Sequence, residues 1–257
     1  MENDIILSIH QLDKSFGGLH AVDRVSFDVP RGSIKAVIGP NGAGKTTLFN
    51  MIAGTFAPDG GRVILERENL TGLKPYQVAE RGVFRTFQNL KLNSHMSILD
   101  NVLLGRHTAG TAGFLSGMLA LKKSRREESE ARKKVTEILE WLNIAEIKNQ
   151  EVGNLSFGKQ RSVELARLLA ADPAVLLLDE PAAGLNMHET DELAELIVKI
   201  RDQGRTILLV EHDMSLVMDI SDEIVVLNFG VKIAEGSPSS VQSNSEVIKI
   251  YLGGDDD

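Results

Sequence analysis

The sequence predicts an α/β fold: a parallel sheet at the core, antiparallel strands ahead of it, and a helical segment inserted into it. Three observations lead there. Short, largely apolar runs at Ile34 to Ile38, Val175 to Leu178 and Thr206 to Val210 read as strands buried on both faces. Amphipathic helical patterns follow such runs, which is the strand–helix alternation of a parallel sheet. From Ser97 to about Asn149 that alternation stops and the pattern is helical throughout.

In chain order, Val25, Phe27 and Val29 alternate with polar residues, a half-buried strand closed by the Pro30-Arg31-Gly32 turn. The strand at 34–38 leads into a glycine-rich loop at 39–44 and a helix from Thr46 to Ala53, ended by Gly54. Pro58-Asp59-Gly60-Gly61 is a turn before a strand at Val63 to Leu65. In the inserted segment, Ile98, Val102 and Leu103 form one helical face, and residues 105–117 are glycine-rich and loose. Val135, Ile138, Leu139 and Leu142 then recur at i, i+3, i+4 and i+7, the apolar stripe of a helix. The charges between Lys122 and Lys134 alternate in sign and read as a solvated face. Helices follow at about 157–170, 188–201 and 214–220, and a hairpin at 224–227 with 231–234. The tail at 253–257, GGDDD, reads as solvated.

The 257 residues carry a formal net charge of -8, 42% hydrophobic and 25% charged residues, and no cysteine. Disulfides, thiolate zinc sites and a cysteine nucleophile are excluded. The acidic balance argues against duplex nucleic acid as the main partner, because phosphate contacts call for a basic surplus. No apolar run approaches the roughly 20 residues needed to span a bilayer, and MENDIILSIH has no basic stretch of a secretory signal, so the expected place is the cytoplasm.

The chemistry starts with GPNGAGKTT at 39–47, which fits G-x-x-x-x-G-K-[ST] between a strand and a helix. Gly39, Gly42 and Gly44 let the backbone approach a phosphate, with the loop amides pointing inward at the positive end of the following helix; Pro40, Asn41, Ala43 and Thr47 complete the cradle. Lys45 can reach the β- and γ-phosphates, and the Thr46 hydroxyl can ligate Mg²⁺. VLLLDEP at 175–181 ends a buried strand in two acids. Asp179 is placed to hold Mg²⁺; Glu180 is expected to point the other way, since strand side chains alternate, and could polarise the attacking water. Acid pairs also close ordinary strands, and the phosphate loop in the same chain favours the catalytic alternative. His212 ends a further buried strand, where ligands of open α/β sheets bind. Gln88 follows a strand-like stretch and could ligate the metal or orient water; it could equally be a surface glutamine. Ser156 fits a helix N-cap, and with Gly158 it also offers a second anion site, suited to a nucleotide held by another subunit.

Together these residues resemble the ABC-type ATPase family. The ordered features are an aromatic before the first turn (Phe16), the phosphate loop, Gln88, LSFGK at 155–159, Asp179 with Glu180, AAGLN at 182–186, and His212. RTFQNLKL, GFLSG, PAAGLN, VEHDM and EVIKIYLGG are similar to the ATP-binding subunits of branched-chain amino-acid importers, the LivG-like branch. The resemblance implies one ABC ATPase domain over 1–257, built as a P-loop NTPase with a RecA-like parallel sheet, an N-terminal antiparallel β subdomain and an α-helical insertion at about 97–150. It implies ATP and Mg²⁺ as cofactors, with Phe16 stacked on adenine. Lys45 and Thr46 of one subunit and Ser156 and Gly158 of a second ATPase subunit would sandwich each nucleotide. Integral membrane permease subunits, indirectly a solute-binding protein, and a peripheral place on the cytoplasmic face of the inner membrane are implied as well. An exporter or lipid-extraction ATPase shares the same motifs; a soluble family member acting on nucleic acid or ribosomes would usually carry two cassettes. Two departures stand out: Phe157 and Lys159 change the general LSGGQ, and Asn186 stands where the family usually has Asp.

Overall fold

The computed structural model describes residues 4–86, 92–107 and 121–252. Gln88 and the 253–257 tail lie outside the described residues, as does most of the glycine-rich 105–117 stretch. Two compact units divide the chain: residues 1–88, 174–183 and 190–257 form the first, and residues 89–173 and 184–189 the second.

The first unit carries two sheets. β1 (Ile5–Phe16), β2 (Leu19–Pro30), β4 (Gly60–Leu65) and β5 (Glu68–Asn69) form an antiparallel sheet in the order β2-β1-β4-β5. The second sheet takes β3 (Ile34–Ile38), β6 (Val83–Arg85), β7 (Val175–Asp179), β8 (Thr206–Val210), β9 (Glu223–Asn228) and β10 (Val231–Gly236) in the order β10-β9-β3-β8-β7-β6. All its neighbours are parallel except the β9–β10 hairpin. Every residue of β3, β7 and β8 is buried, as continuous apolar runs require of strands covered on both faces. A single core joins the sheets: Leu7, Ile9 and Leu12 of β1 share it with Val37, Leu177, Leu208 and Val225. Each fully buried aliphatic side chain of this kind contributes roughly 1.5–3 kcal/mol.

Between the sheets lies a charged group. Lys35, on β3, is almost fully buried, and its ammonium donates to the Asp28 carbonyl (2.5 Å), Glu223 Oε2 (2.8 Å) and Glu235 Oε1 (2.5 Å). Lys232 closes the network on Glu235 Oε2 at 2.6 Å. The ammonium is thus paired and fully hydrogen-bonded, the condition under which burying a charge is tolerated.

α1 (Lys45–Ile52), α2 (Pro75–Glu80), α6 (Met187–Asp202), α7 (Met214–Ile220), α8 (Pro238–Gln242) and α9 (Ser245–Leu252) complete the sequence of helices around these strands. α6 begins in the second unit.

The rest of the second unit is helical: α3 (Ile98–His107), α4 (Leu121–Trp141) and α5 (Phe157–Ala170). Ile98 and Val102 of α3, Val135 and Leu139 of α4, and Val163 and Ala166 of α5 are buried, so the apolar stripes of the sequence face inward. Asn101 is buried as well. Its amide donates to the carbonyls of Asn93 and Ser97, both at 3.0 Å, and its Oδ1 accepts from the Asn93 amide at 2.9 Å, tying the chain before α3 to the helix.

Candidate active site

The phosphate loop leaves β3 at Gly39 and enters α1 at Lys45. Gly39, Gly42 and Gly44 all have positive φ, at 152°, 81° and 99°. A Cβ on Gly39 would stand 2.2 Å from the Leu227 carbonyl oxygen, and one on Gly44 2.2 Å from that of Ala21, so only glycine lets the loop lie this close to its neighbours. The Gly230 amide donates to the Ala43 carbonyl at 3.0 Å, pinning the loop to the β9–β10 turn. Lys45 is buried, and its ammonium donates to the carbonyls of Gly39 (2.6 Å) and Pro40 (3.0 Å). Burial pushes its pKa below the usual lysine value, while the carboxylates of Glu180 and Asp179 pull it back up.

Asp179 ends β7, buried, beside the loop. Its amide donates to Thr86 Oγ1 at 2.9 Å, and its Oδ2 accepts from Arg85 Nη2 at 2.6 Å. Glu180 departs from the sequence expectation. It does not continue the strand and so does not alternate with Asp179: its backbone turns left-handed, at φ 48°. Its amide still donates to the Val210 carbonyl at 2.8 Å, which holds the residue between β7 and β8. A non-glycine residue held at positive φ costs on the order of 1 kcal/mol or more, and such strain concentrates at functional positions. The turn brings Glu180 Oε1 to 2.6 Å from His212 Nε2.

Glu211, which the sequence did not single out although it sits in VEHDM, organises this corner. It is buried, and its Oε1 accepts from the Ala182 amide (2.7 Å) while Oε2 accepts from the His212 amide (2.9 Å). One carboxylate thereby fixes the chain on both sides of the Glu180–His212 pair. The only sequence signal was an acid inside a buried apolar strand run. Arg85 is the second residue missed, and Tyr251 the third. The Tyr251 hydroxyl, at the end of α9, has its pKa pushed up to about 12, the net of burial, which raises it, and the nearby Gly39 backbone, which lowers it.

Phe16 stands at the end of β1, exposed, with its ring edge-on to Phe56 at 5.7 Å and the Lys14 ammonium over it at 5.5 Å. Thr46, on the first turn of α1, is exposed. Hard oxygen donors suit Mg²⁺, and the Thr46 hydroxyl with the second oxygen of Asp179 supplies them.

The first unit thus brings together Lys45, Asp179, Glu180 and His212. Ser156 and Gly158 belong to the second unit. Ser156 caps α5, its Oγ accepting from the Lys159 amide at 3.4 Å. The Gly158 amide donates to Glu189 Oε1 at 3.2 Å, and the other oxygen of Glu189 accepts from Asn186 Nδ2 at 3.0 Å. A carboxylate therefore rests on the helix start where an anion was expected, and Asn186 helps to hold it there.

The family description "ABC transporter" matches residues 22–183, and a second, "Branched-chain amino acid ATP-binding cassette transporter", matches residues 231–257. The chain belongs to the ABC transporter family. Like the ATP-binding subunits of that family it is an ATPase. It is 45% identical, over 96% of its length and 98% of the relative's, to the high-affinity branched-chain amino acid transport ATP-binding protein BraF of Pseudomonas aeruginosa. The same figures hold for LivG of Escherichia coli, which has the same description. A probable LivG of Archaeoglobus fulgidus is 36% identical over 98% of this chain and 96% of its own. Among solved structures, the ADP conformation of an ABC-transporter ATP-binding cassette superposes with a TM-score of 0.85 at 33% identity, covering 97% of this chain and 99% of the other. A nucleotide-free cassette gives 0.84 at 33% identity and the same coverage. The chain thus has the fold of an ABC-transporter ATP-binding cassette, the P-loop NTPase architecture expected from the sequence. No helix among the described residues is long and apolar enough to cross a membrane.

Proposed function

We propose that this chain hydrolyses ATP to drive uptake of branched-chain amino acids through membrane permease subunits, seated on their cytoplasmic side and paired with a second ATPase subunit. The observation that carries the reading is the convergence of the Lys45 loop, Asp179 and the Glu180–His212 pair at the carboxyl ends of β3, β7 and β8. Ligands of parallel sheets bind there.

In this reading the loop amides and Lys45 hold the β- and γ-phosphates, after Lys45 exchanges the Gly39 and Pro40 carbonyls for phosphate oxygens. Phe16 stacks on adenine. Thr46 and Asp179, with Gln88, hold Mg²⁺, which when bound neutralises charge that develops on the phosphates. Glu180 takes a proton from the attacking water, and His212 orients Glu180 and reaches the γ-phosphate. Ser156 and Gly158 serve the nucleotide of the partner subunit; the Glu189 carboxylate must leave the Gly158 amide for the γ-phosphate to take its place. The helical segment at about 97–150 and the chain after Gln88 receive the permease, so nucleotide state reaches the membrane through them.

Glu180→Gln should keep ATP binding, lower turnover by about a hundredfold or more, and trap an ATP-bound dimer on gel filtration. Ordinary turnover in that variant would remove Glu180 as the base. Co-purification of the chain from detergent-extracted membranes should bring down its permease subunits, and reconstitution with them should give ATP-dependent uptake of leucine, isoleucine or valine; export of substrate in that assay would overturn the direction.

A further inference from the structure

Arg85 ends β6, three residues before Gln88, and was not singled out in the sequence. Its guanidinium makes a fork. Nη2 donates to Asp179 Oδ2 at 2.6 Å, and Nη1 to Asn50 Oδ1 at 2.6 Å. Its face lies 5.9 Å from the Phe49 ring, and Nε is buried with no partner among the described residues. The side chains of Arg85 and Asp179 are only 15% and 4% exposed, so water screens this pair little.

The two groups that Arg85 joins sit on different elements. Asp179 ends β7, and Asn50 is on α1, the helix whose first turn carries Lys45 and Thr46. Thr46 and Asp179 are the oxygen donors assigned to the divalent metal above. Arg85 thus spans the two elements whose spacing sets the metal position. It also occupies one carboxylate oxygen of Asp179 and leaves the other for the metal.

We propose that Arg85 is a positioning residue for the divalent-metal site: it fixes the Asp179 carboxylate against α1 by a two-pronged bridge, and its charge tempers the affinity of that carboxylate for the metal. The inference rests on the reading of Asp179 as a metal holder. Two consequences oppose each other, which makes the role measurable. Removing the cation leaves Asp179 a stronger attractor of metal. Removing the fork leaves Asp179 and α1 without a common anchor, so the bound metal is less well placed for turnover. Lysine separates the two effects, because its ammonium keeps the charge but is a single point and cannot bridge both partners.

The test uses the full chain with ADP, and Mn²⁺ as the probe, free Mn²⁺ being read by electron paramagnetic resonance beside steady-state turnover at saturating metal. Arg85→Gln should tighten Mn²⁺ binding about fivefold, as expected on removing a unit positive charge a few ångströms from the metal. Its turnover should fall about tenfold or more through lost alignment. Arg85→Lys should bind Mn²⁺ within about twofold of the parent and lose turnover about as far as the Gln variant. Unchanged or weaker Mn²⁺ binding in Arg85→Gln, or parent-like turnover in Arg85→Lys, overturns the proposal. If thermal melting shows that the Gln variant is unfolded, the Lys variant decides alone on its turnover. A parent chain that binds no Mn²⁺ with ADP present would instead sink the reading of Asp179, an outcome distinct from binding that Arg85 does not influence.

Discussion

Glu211 shows what a single buried side chain can fix. Its two oxygens accept from amides of two different segments, Ala182 after β7 and His212 after β8. Glutamine in its place would offer one oxygen and turn an amide donor toward an N–H that also donates. Leaving one buried donor unsatisfied costs about 1–3 kcal/mol. Glu211→Gln should therefore lower the chemical-denaturation stability by that amount. It should also cut turnover between about ten- and a hundredfold, since the His212 backbone loses its anchor and small displacements at a reacting centre are costly. ATP binding should change little, because the hydrogen bonds of Glu211 go to the amides of Ala182, His212 and Asp213 and not to the phosphate loop; a large loss of ATP affinity in this variant would count against the division of roles. The residues that sequence reasoning named and those it missed divide on the same ground. Lys45 and Asp179 announce themselves by local spacing. Arg85 and Glu211 act through partners far away in the chain: Asp179 and Ala182. No local pattern marks them.

Among the elements, the strands of the parallel sheet were legible because a strand buried on both faces is a continuous apolar run, as in β7 and β8. β1 was not delimited, because its pairing with β2 shifts register between Ile9 and Leu12, where Gln11 takes a φ of 44°, and the shift breaks the period of two. Glu180 was read as strand for the opposite reason: alternation was assumed to persist one residue past the end of β7. At the start of α5 the cap was legible, since serine followed by a helical pattern is a local signal. That cap bond is long, at 3.4 Å, and belongs at the weak end of its class. Ser156→Ala should cost about 0.5–1 kcal/mol in denaturation. Turnover in the ATP-dependent dimer should fall by more than that stability loss explains, because the same hydroxyl is assigned to the partner's nucleotide. Turnover equal to the parent's would leave Ser156 a cap and nothing more.

For the whole molecule, the Lys35 network makes acid stability a property of both sheets. Burial alone would raise the Glu235 pKa, but hydrogen bonds from Lys232 and Lys35 outweigh it, and the group sits below its usual value. A carboxylate whose folded pKa is depressed adds stability above its unfolded pKa. It loses that contribution as the pH falls through the folded value. Melting temperature should therefore drop as the pH is taken below about 4.5, the range in which such carboxylates protonate. Glu235→Gln should melt lower than the parent at pH 7 and lose less on acidification; an equal acid-induced drop in both would assign the sensitivity to other groups.

The sheet order β10-β9-β3-β8-β7-β6 carries a consequence for how the chain is made. β3, which delivers the phosphate loop, pairs on one side with β8 and on the other with β9, and both are translated long after it. At about 5–20 residues per second, the loop-bearing strand waits roughly ten to thirty-five seconds for either neighbour. A nascent chain halted before β8 therefore carries every residue of the phosphate loop and neither flanking strand. It lacks the Val210 carbonyl that anchors Glu180 and the Leu227 and Gly230 contacts that shape the loop. The site is therefore completed only when β8 and β9 are present, although the phosphate loop itself is local in the chain.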